Sequence, residues 1–134
     1  SIGYVELLYA LQNKMAFGNI KNKSGKFIEP TIKSVSAAAS VNMPDDTNIS
    51  LTDTDAKEGY PISGFTWLIF YKEQNYSNRT KEKAETLANL LMWMVKDGQK
   101  FVEPLQYAPL PAEAVGKSVK IIKSLTYDGL KIIK

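Results

Sequence analysis

The residues able to do chemistry here are carboxylates, lysines and tyrosines, because the 134-residue chain contains no His and no Cys. Without His there is no ordinary proton shuttle near neutral pH, no Ser-His-Asp triad and no imidazole for a transition metal. Without Cys there is neither a thiolate metal site nor a disulfide framework, and the compartment stays open. Two stretches echo known ligand loops and fail on spacing. Gly18 to Lys26 ends in Gly25-Lys26, yet six residues separate its glycines where a phosphate-cradling loop has four, and Phe27 stands where a magnesium-binding Ser or Thr is needed. Asp53-Thr54-Asp55 starts like a calcium loop. Lys57 then takes the third ligand position, Gly59 arrives one residue late, and Gly64 replaces the bidentate Glu, so a solvated acidic loop is expected.

Four Asn-x-Ser/Thr sequons, at Asn22, Asn48, Asn75 and Asn78, matter only in a eukaryotic secretory setting and read as composition. Trp67, Trp93, Tyr71 and Phe70 could be arranged as a base-stacking platform. Their strand and helix spacing predicts core packing instead, and no basic groove accompanies them. The sequence therefore predicts no catalytic residue, no metal, no cofactor and no nucleic-acid partner.

The elements that would hold a site follow from periodicity and turn chemistry. Ile2 to Tyr4 is a short strand ending at a helix whose apolar residues are Val5, Leu8, Tyr9 and Leu11. Met15 to Ile20 and Lys26 to Ile28 form a hairpin around Asn22-Lys23-Ser24-Gly25. Thr31 caps a helix through Ala39, and the polar, aperiodic run from Asn42 to Gly59 is a surface loop. From Phe65 to Tyr71 every residue but Thr66 is apolar or aromatic, which predicts a central strand covered on both faces. Thr80 caps a long helix to about Asp97, closed by Gly98, with Ala84, Leu87, Ala88, Leu91, Met94 and Val95 on its inner stripe. A final helix from Ala112 to Ser124 carries Val115, Val119, Ile122 and Leu125 toward the core, and Tyr127-Asp128-Gly129 turns into a short terminal strand. The fold class is α/β.

With 44% hydrophobic and 23% charged residues the composition is that of an ordinary globular domain, and a net charge of +3 is too mild to imply nucleic acid or an anionic membrane. No apolar stretch approaches the roughly 18 residues needed to span a bilayer, and no signal-peptide pattern is present. The opening run Ser1-Ile2-Gly3-Tyr4-Val5-Glu6 is already in stride, as though cut inside a domain.

Three elements, Ile2-Gly3-Tyr4, Tyr60-Pro61-Ile62-Ser63-Gly64-Phe65 running into Thr66-Trp67-Leu68-Ile69-Phe70-Tyr71, and Leu105-Gln106-Tyr107-Ala108-Pro109-Leu110-Pro111, occur in an order and at a separation that is informative. Together they resemble the carboxy-terminal half of the phosphate-binding proteins (PstS) of bacterial ABC transporters, over nearly the whole chain. The resemblance implies a portion of a two-lobe type II periplasmic-binding-protein fold with three-layer α/β/α lobes, and a non-enzymatic protein. It implies inorganic phosphate bound between the lobes of the whole protein, delivery to an ABC permease, and a periplasmic or cell-surface lipoprotein location. Residues 1–60 would end the second lobe, residues 61–64 would be a hinge crossover, and residues 65–134 would return to the first lobe.

On this chain the resemblance implies a hinge at Pro61, Ile62, Ser63 and Gly64. A plain turn before a buried strand is the simpler reading, since Pro61 fixes φ and Gly64 permits unusual dihedrals. It also implies a stretch of cleft wall at Gly3, Tyr4, Tyr60 and Ser63. The family's ligand motifs, an Arg stretch followed by Ser-Gly-Thr, hydroxyl loops and an Asp that accepts the phosphate proton, find no counterpart here, so no residue in direct contact with phosphate is assigned. Two alternatives belong to the same reading: an interaction or regulatory module on this fold without phosphate binding, and a dimer or strand exchange if the chain stands alone.

Overall fold

A computed structural model describes residues 3–133 of the chain. Ile2, which opens the predicted first strand, lies outside the described residues. The elements, in order, are α1 (Leu7–Gln12), β1 (Ile20–Lys21), β2 (Phe27–Ile28), α2 (Ile32–Ala38), α3 (Lys81–Val95), two 3-10 turns (Asp97–Phe101 and Glu103–Leu105), α4 (Ala112–Lys123), β3 (Thr126–Tyr127) and β4 (Leu130–Lys131). The described residues fall into two compact units. A hairpin unit holds the chain up to Asn42 with Ser50–Phe65 and Lys100–Pro111; a helical unit holds Met43–Ile49, Thr66–Gln99 and the chain from Ala112 on.

The hairpin unit is stitched by polar groups. β1 and β2 pair antiparallel with Ile20 opposite Ile28 and Lys21 opposite Phe27, a shorter ladder than the sequence predicted. Gly25, at φ 84, supplies the left-handed residue this turn requires. Asn22 is 5% exposed and forms the hub: its amide donates to the carbonyls of Lys57 and Gly59, and its oxygen accepts from Ser24 and from the Lys26 backbone. Two of these bonds tie the acidic loop to the hairpin and two brace the turn, and together they satisfy a group that would otherwise be costly to bury. α2 begins with a capping box. The Thr31 hydroxyl accepts from the Ser34 N–H at 3.1 Å, and the Ser34 hydroxyl accepts from the Thr31 N–H at 2.9 Å. α1 differs from the predicted face. Ala10 is its buried residue while Val5, Tyr9 and Leu11 are exposed, because the inward stripe runs through Leu7 and Ala10 at i, i+3.

The helical unit is packed by apolar groups. Ala88 and Leu91 of α3 meet Ile122 and Leu125 from and just after α4, and Phe70, Leu87, Met92, Val95, Ile132 and Ile133 close around them. Burying a Leu or Ile side chain fully is worth about 1.5–3 kcal/mol, so this small cluster dominates the unit's stability. Thr80 caps α3, accepting from the Lys83 N–H at 3.3 Å. α3 ends at Val95, before the predicted close at Gly98, which lies in the Asp97–Phe101 turn and lets Trp93 lie close, since a Cβ there would stand 3.1 Å from the Trp93 carbonyl oxygen and 3.2 Å from its ring. The chain end forms the β3–β4 hairpin, whose two-residue turn has positive φ at both Asp128 (51) and Gly129 (73), the Asp-Gly chemistry of a type I′ turn.

Two expectations are corrected. Phe65–Tyr71 is not a strand covered on both faces: it carries no ladder among the described residues, Phe70 packs on the α3–α4 cluster, and Ile69 stands 99% exposed. Pairing begins only beyond it, at a parallel bridge between Glu73 and Thr126. An apolar run encodes a preference for burial but no neighbour, and a strand needs both. Trp67 and Trp93 are likewise nearly half exposed, not core residues; Trp93 lies off the buried line of α3, which runs through Ala84, Ala88 and Leu91. Met94 is left exposed for the same reason.

Candidate functional site

The predicted hinge and half of the predicted cleft wall, Tyr60 and Ser63, fall in the segment that ends the hairpin unit's middle portion. Tyr60 is pinned by its backbone N–H, which donates to the Ser34 carbonyl at 3.0 Å at the head of α2. Pro61 is buried, and its carbonyl accepts from the Asp53 N–H at 2.9 Å. Ser63 turns back on this base, its hydroxyl donating to the Tyr60 carbonyl at 2.8 Å. The two residues around it are loose: Ile62 is 67% exposed, and a Cβ built on Gly64 would meet nothing within 4 Å. The segment thus has a pinned upstream end and exposed residues at Ile62 and Gly64, and Phe65 is the last residue that groups with the hairpin unit.

The structure brings Tyr60 and Ser63 together through that one hydrogen bond. Gly3 and Tyr4 are exposed, Tyr4 at 98%, and no hydrogen bond among the described residues links them to Tyr60 or Ser63. Burial pushes the Tyr60 phenol above its usual range, so it stays a neutral donor and acceptor through physiological pH. Such an arrangement can line a wall and carry a dihedral change; it offers no nucleophile beside a base.

The resembling element Leu105 to Pro111 is anchored in the same unit. Gln106 sits left-handed at φ 61 after the Glu103–Leu105 turn, and the Tyr107 hydroxyl donates to Glu6 at 3.3 Å, just before α1. The neighbouring Glu6 carboxylate raises the Tyr107 phenol.

The acidic loop is occupied by the protein's own cations. The Lys23 N–H donates to Asp53 at 2.7 Å, and its ammonium pairs with Asp55 at 2.6 Å; that partnership raises the lysine and lowers the aspartate. No group of three or more metal-ligating acidic side chains occurs among the described residues. The Asn22 amide is buried and committed to hydrogen bonds within the fold. The single arginine, Arg79, lies in the other unit at the head of α3, beside an open depression of about 790 Å³ lined by Tyr76, Ser77, Asn78, Thr80, Lys83 and neighbours. Its guanidinium serves the fold: one terminal nitrogen donates to the Tyr76 hydroxyl at 2.9 Å, the other to the Lys83 carbonyl at 3.4 Å, and the group lies 5.6 Å from the Tyr76 ring.

Besides the Asn22 hub, sequence reasoning missed a second polar device. Glu73 is a latch: its carboxylate accepts from the N–H groups of Asn75, Asp128 and Gly129 and from the Thr126 hydroxyl, at 2.8 to 3.1 Å. Those bonds, led by the Asn75 N–H, hold its pKa down to about 2. Only the Asp-Gly turn hinted at this, since an isolated Glu fifty residues upstream carries no local pattern.

No helix among the described residues is long and apolar enough to cross a membrane. No protein-family model matches the chain. It is similar to the phosphate-binding protein PstS of Xylella fastidiosa (strain 9a5c), 36% identical over 120 residues that make up 86% of this chain and 31% of that protein. The PstS of Pasteurella multocida (strain Pm70) is 30% identical over 87% of this chain and 34% of its own length. That of Methanocaldococcus jannaschii is 31% identical over 75% of this chain and 28% of its own length. The chain spans about a third of the length of these curated relatives. By these alignments and its mixed helices and strands, the chain is a homologue of part of the PstS phosphate-binding proteins and shares their type II periplasmic-binding-protein fold class.

Proposed function

We propose that this chain is the carboxy-terminal portion of an extracytoplasmic solute-binding component of an ABC importer, which binds inorganic phosphate between two lobes and delivers it to the permease. The observation that carries this reading is the alignment with PstS proteins along 86% of the chain. The protein works in the periplasm or as a lipoprotein at the cell surface. Within it, residues 1–60 end one lobe, 61–64 form the hinge, and 65–134 return to the other lobe.

The local geometry around Gly64 suits a hinge. Hinges are a few element-terminal residues that absorb a dihedral change. Gly64 has open space where a side chain would be, while Tyr60 and Pro61 are tied down immediately upstream. Gly3, Tyr4, Tyr60 and Ser63 line the cleft without supplying the main anion donors. The anion is held by groups that the rest of the longer protein contributes.

The test is calorimetric titration with phosphate and sulfate of two samples: the 134-residue chain, and a chimera in which it replaces the aligned 120 residues of the Xylella relative. The chain alone gives no tight phosphate heat, and the chimera binds phosphate and rejects sulfate. A folded chimera that ignores phosphate sinks the reading. Gly64→Val in the chimera alters phosphate release more than thermal stability, and equal effects on both would remove the hinge.

A further inference from the structure

The acidic segment ahead of residues 61–64 is fastened repeatedly to the β1–β2 turn and to α2. The Lys23 N–H donates to the Asp53 carboxylate at 2.7 Å, and the Asp53 N–H donates to the Pro61 carbonyl at 2.9 Å. The Asn22 amide donates to the carbonyls of Lys57 at 3.0 Å and Gly59 at 3.2 Å, and the Ser24 hydroxyl adds a second donor at Lys57. Gly59 is packed so closely that a Cβ there would stand 3.0 Å from the Ala56 Cβ and 3.1 Å from the Ala38 Cα of α2. The Tyr60 N–H then donates to the Ser34 carbonyl. Past Pro61 the character changes: Ile62 is exposed, and a Cβ on Gly64 would meet nothing within 4 Å. Among these ties Asn22 stands apart by burial. The pairs Lys23–Asp55 and Lys26–Glu58 are exposed, and such pairs are weak, whereas removing the Asn22 donors leaves the Gly59 carbonyl unpaired in a buried setting.

We propose that Asn22 is a positioning residue for phosphate release: by pinning residues 57–59 to the β1–β2 turn, it confines the dihedral change of lobe closure to residues 62–64. This rests on the reading that residues 61–64 are the hinge of a phosphate-binding protein. With its base already ordered, the hinge orders only a few residues on closing; with a loose base, closure must order residues 57–61 as well. Loosening the base therefore disfavours the closed form that holds the anion. Phosphate leaves faster, while its entry into the open form is unchanged.

Stopped-flow measurement of phosphate release from the Xylella chimera tests this. Asn22→Asp keeps an acceptor for Ser24 and the Lys26 N–H but has no donor for Lys57 and Gly59. It should release phosphate about 10-fold faster with an unchanged association rate. Asn22→Ala removes the same donors without burying a charge, and Gly59→Ala forces the same segment away from α2, so the result does not hang on the folding of one variant. Both should accelerate release. Lys23→Met with Lys26→Met removes only the exposed pairs, and Leu125→Ala destabilises the helical unit; each should leave release within about twofold. Unchanged release in a folded Asn22→Ala or Gly59→Ala chimera overturns the proposal. So does equal acceleration by Leu125→Ala, which would make the effect one of general stability, or by the lysine variant, which would move the pin to the surface. A parent chimera that binds no phosphate removes the proposed function and this role with it; normal binding with an unmoved release rate removes this inference alone.

Discussion

The hairpin unit and the helical unit are held together by opposite means. In the first, specificity comes from one buried amide and a set of backbone carbonyls; in the second, from a small apolar cluster between two helices. Apolar burial is non-directional and tolerates adjustment, whereas a buried amide either has its partners or does not. The two units should therefore fail differently.

The sharpest way to break that contrast is Leu125→Ala. Leu125 is 1% exposed at the centre of the helical cluster, and its truncation should cost about 2–5 kcal/mol through lost transfer energy and the cavity left behind. Chemical denaturation measures it, and a loss below 1 kcal/mol would mean the cluster is not what holds α3 to α4. Asn22→Ala comes next. It strands the buried Gly59 carbonyl and leaves the Lys57 carbonyl with the Ser24 hydroxyl alone, so about 1–3 kcal/mol is expected. Its signature differs from the first: amide exchange should accelerate around residues 22–26 and 57–60 while the α3 and α4 amides keep their protection.

The smallest effect belongs to Glu73. Its folded pKa is about 2 against an ordinary 4.5, so its stabilisation is complete above about pH 4.5 and is lost as pH falls toward 2. Glu73→Gln should flatten the acid dependence of the β3–β4 hairpin in that window, read from the Tyr127 and Gly129 amide shifts. An unchanged acid profile would show that the four bonds to the carboxylate are not what pins the turn.

What could be read from sequence divides along the same line. Caps and turns were legible because their chemistry is local: Thr31 with Ser34, Thr80 with Lys83, and Asp128-Gly129 each announce themselves within four residues. The inner stripe of α3 was legible in period but not in depth, since Ala84 and Ala88 took the buried line and left Met94 and Trp93 outside. Phe65–Tyr71 was misjudged because its composition describes a surface to be covered and is silent on what covers it. The roles of Asn22 and Glu73 were invisible because the partners that tie each to another part of the chain, Lys57 and Gly59 for one and Thr126, Asp128 and Gly129 for the other, lie 35 or more residues away in sequence. The hinge and cleft residues rest on resemblance, and Tyr60, Pro61 and Ser63 supply local geometry that suits the role.

One feature of the chain's route has a mechanical consequence. Lys117 of α4 pairs with Asp45 at 3.4 Å and with Glu113 at 3.3 Å, and it also donates to the Met43 carbonyl. These contacts hold the short 43–49 segment in the helical unit although the residues on both sides of it belong to the hairpin unit. The polypeptide therefore passes between the units at 42/43, 49/50, 65/66, 99/100 and 111/112. A protease that nicks the exposed Gly64 peptide cuts only one of those tethers, and the two products should stay together through size-exclusion chromatography until a denaturant separates them.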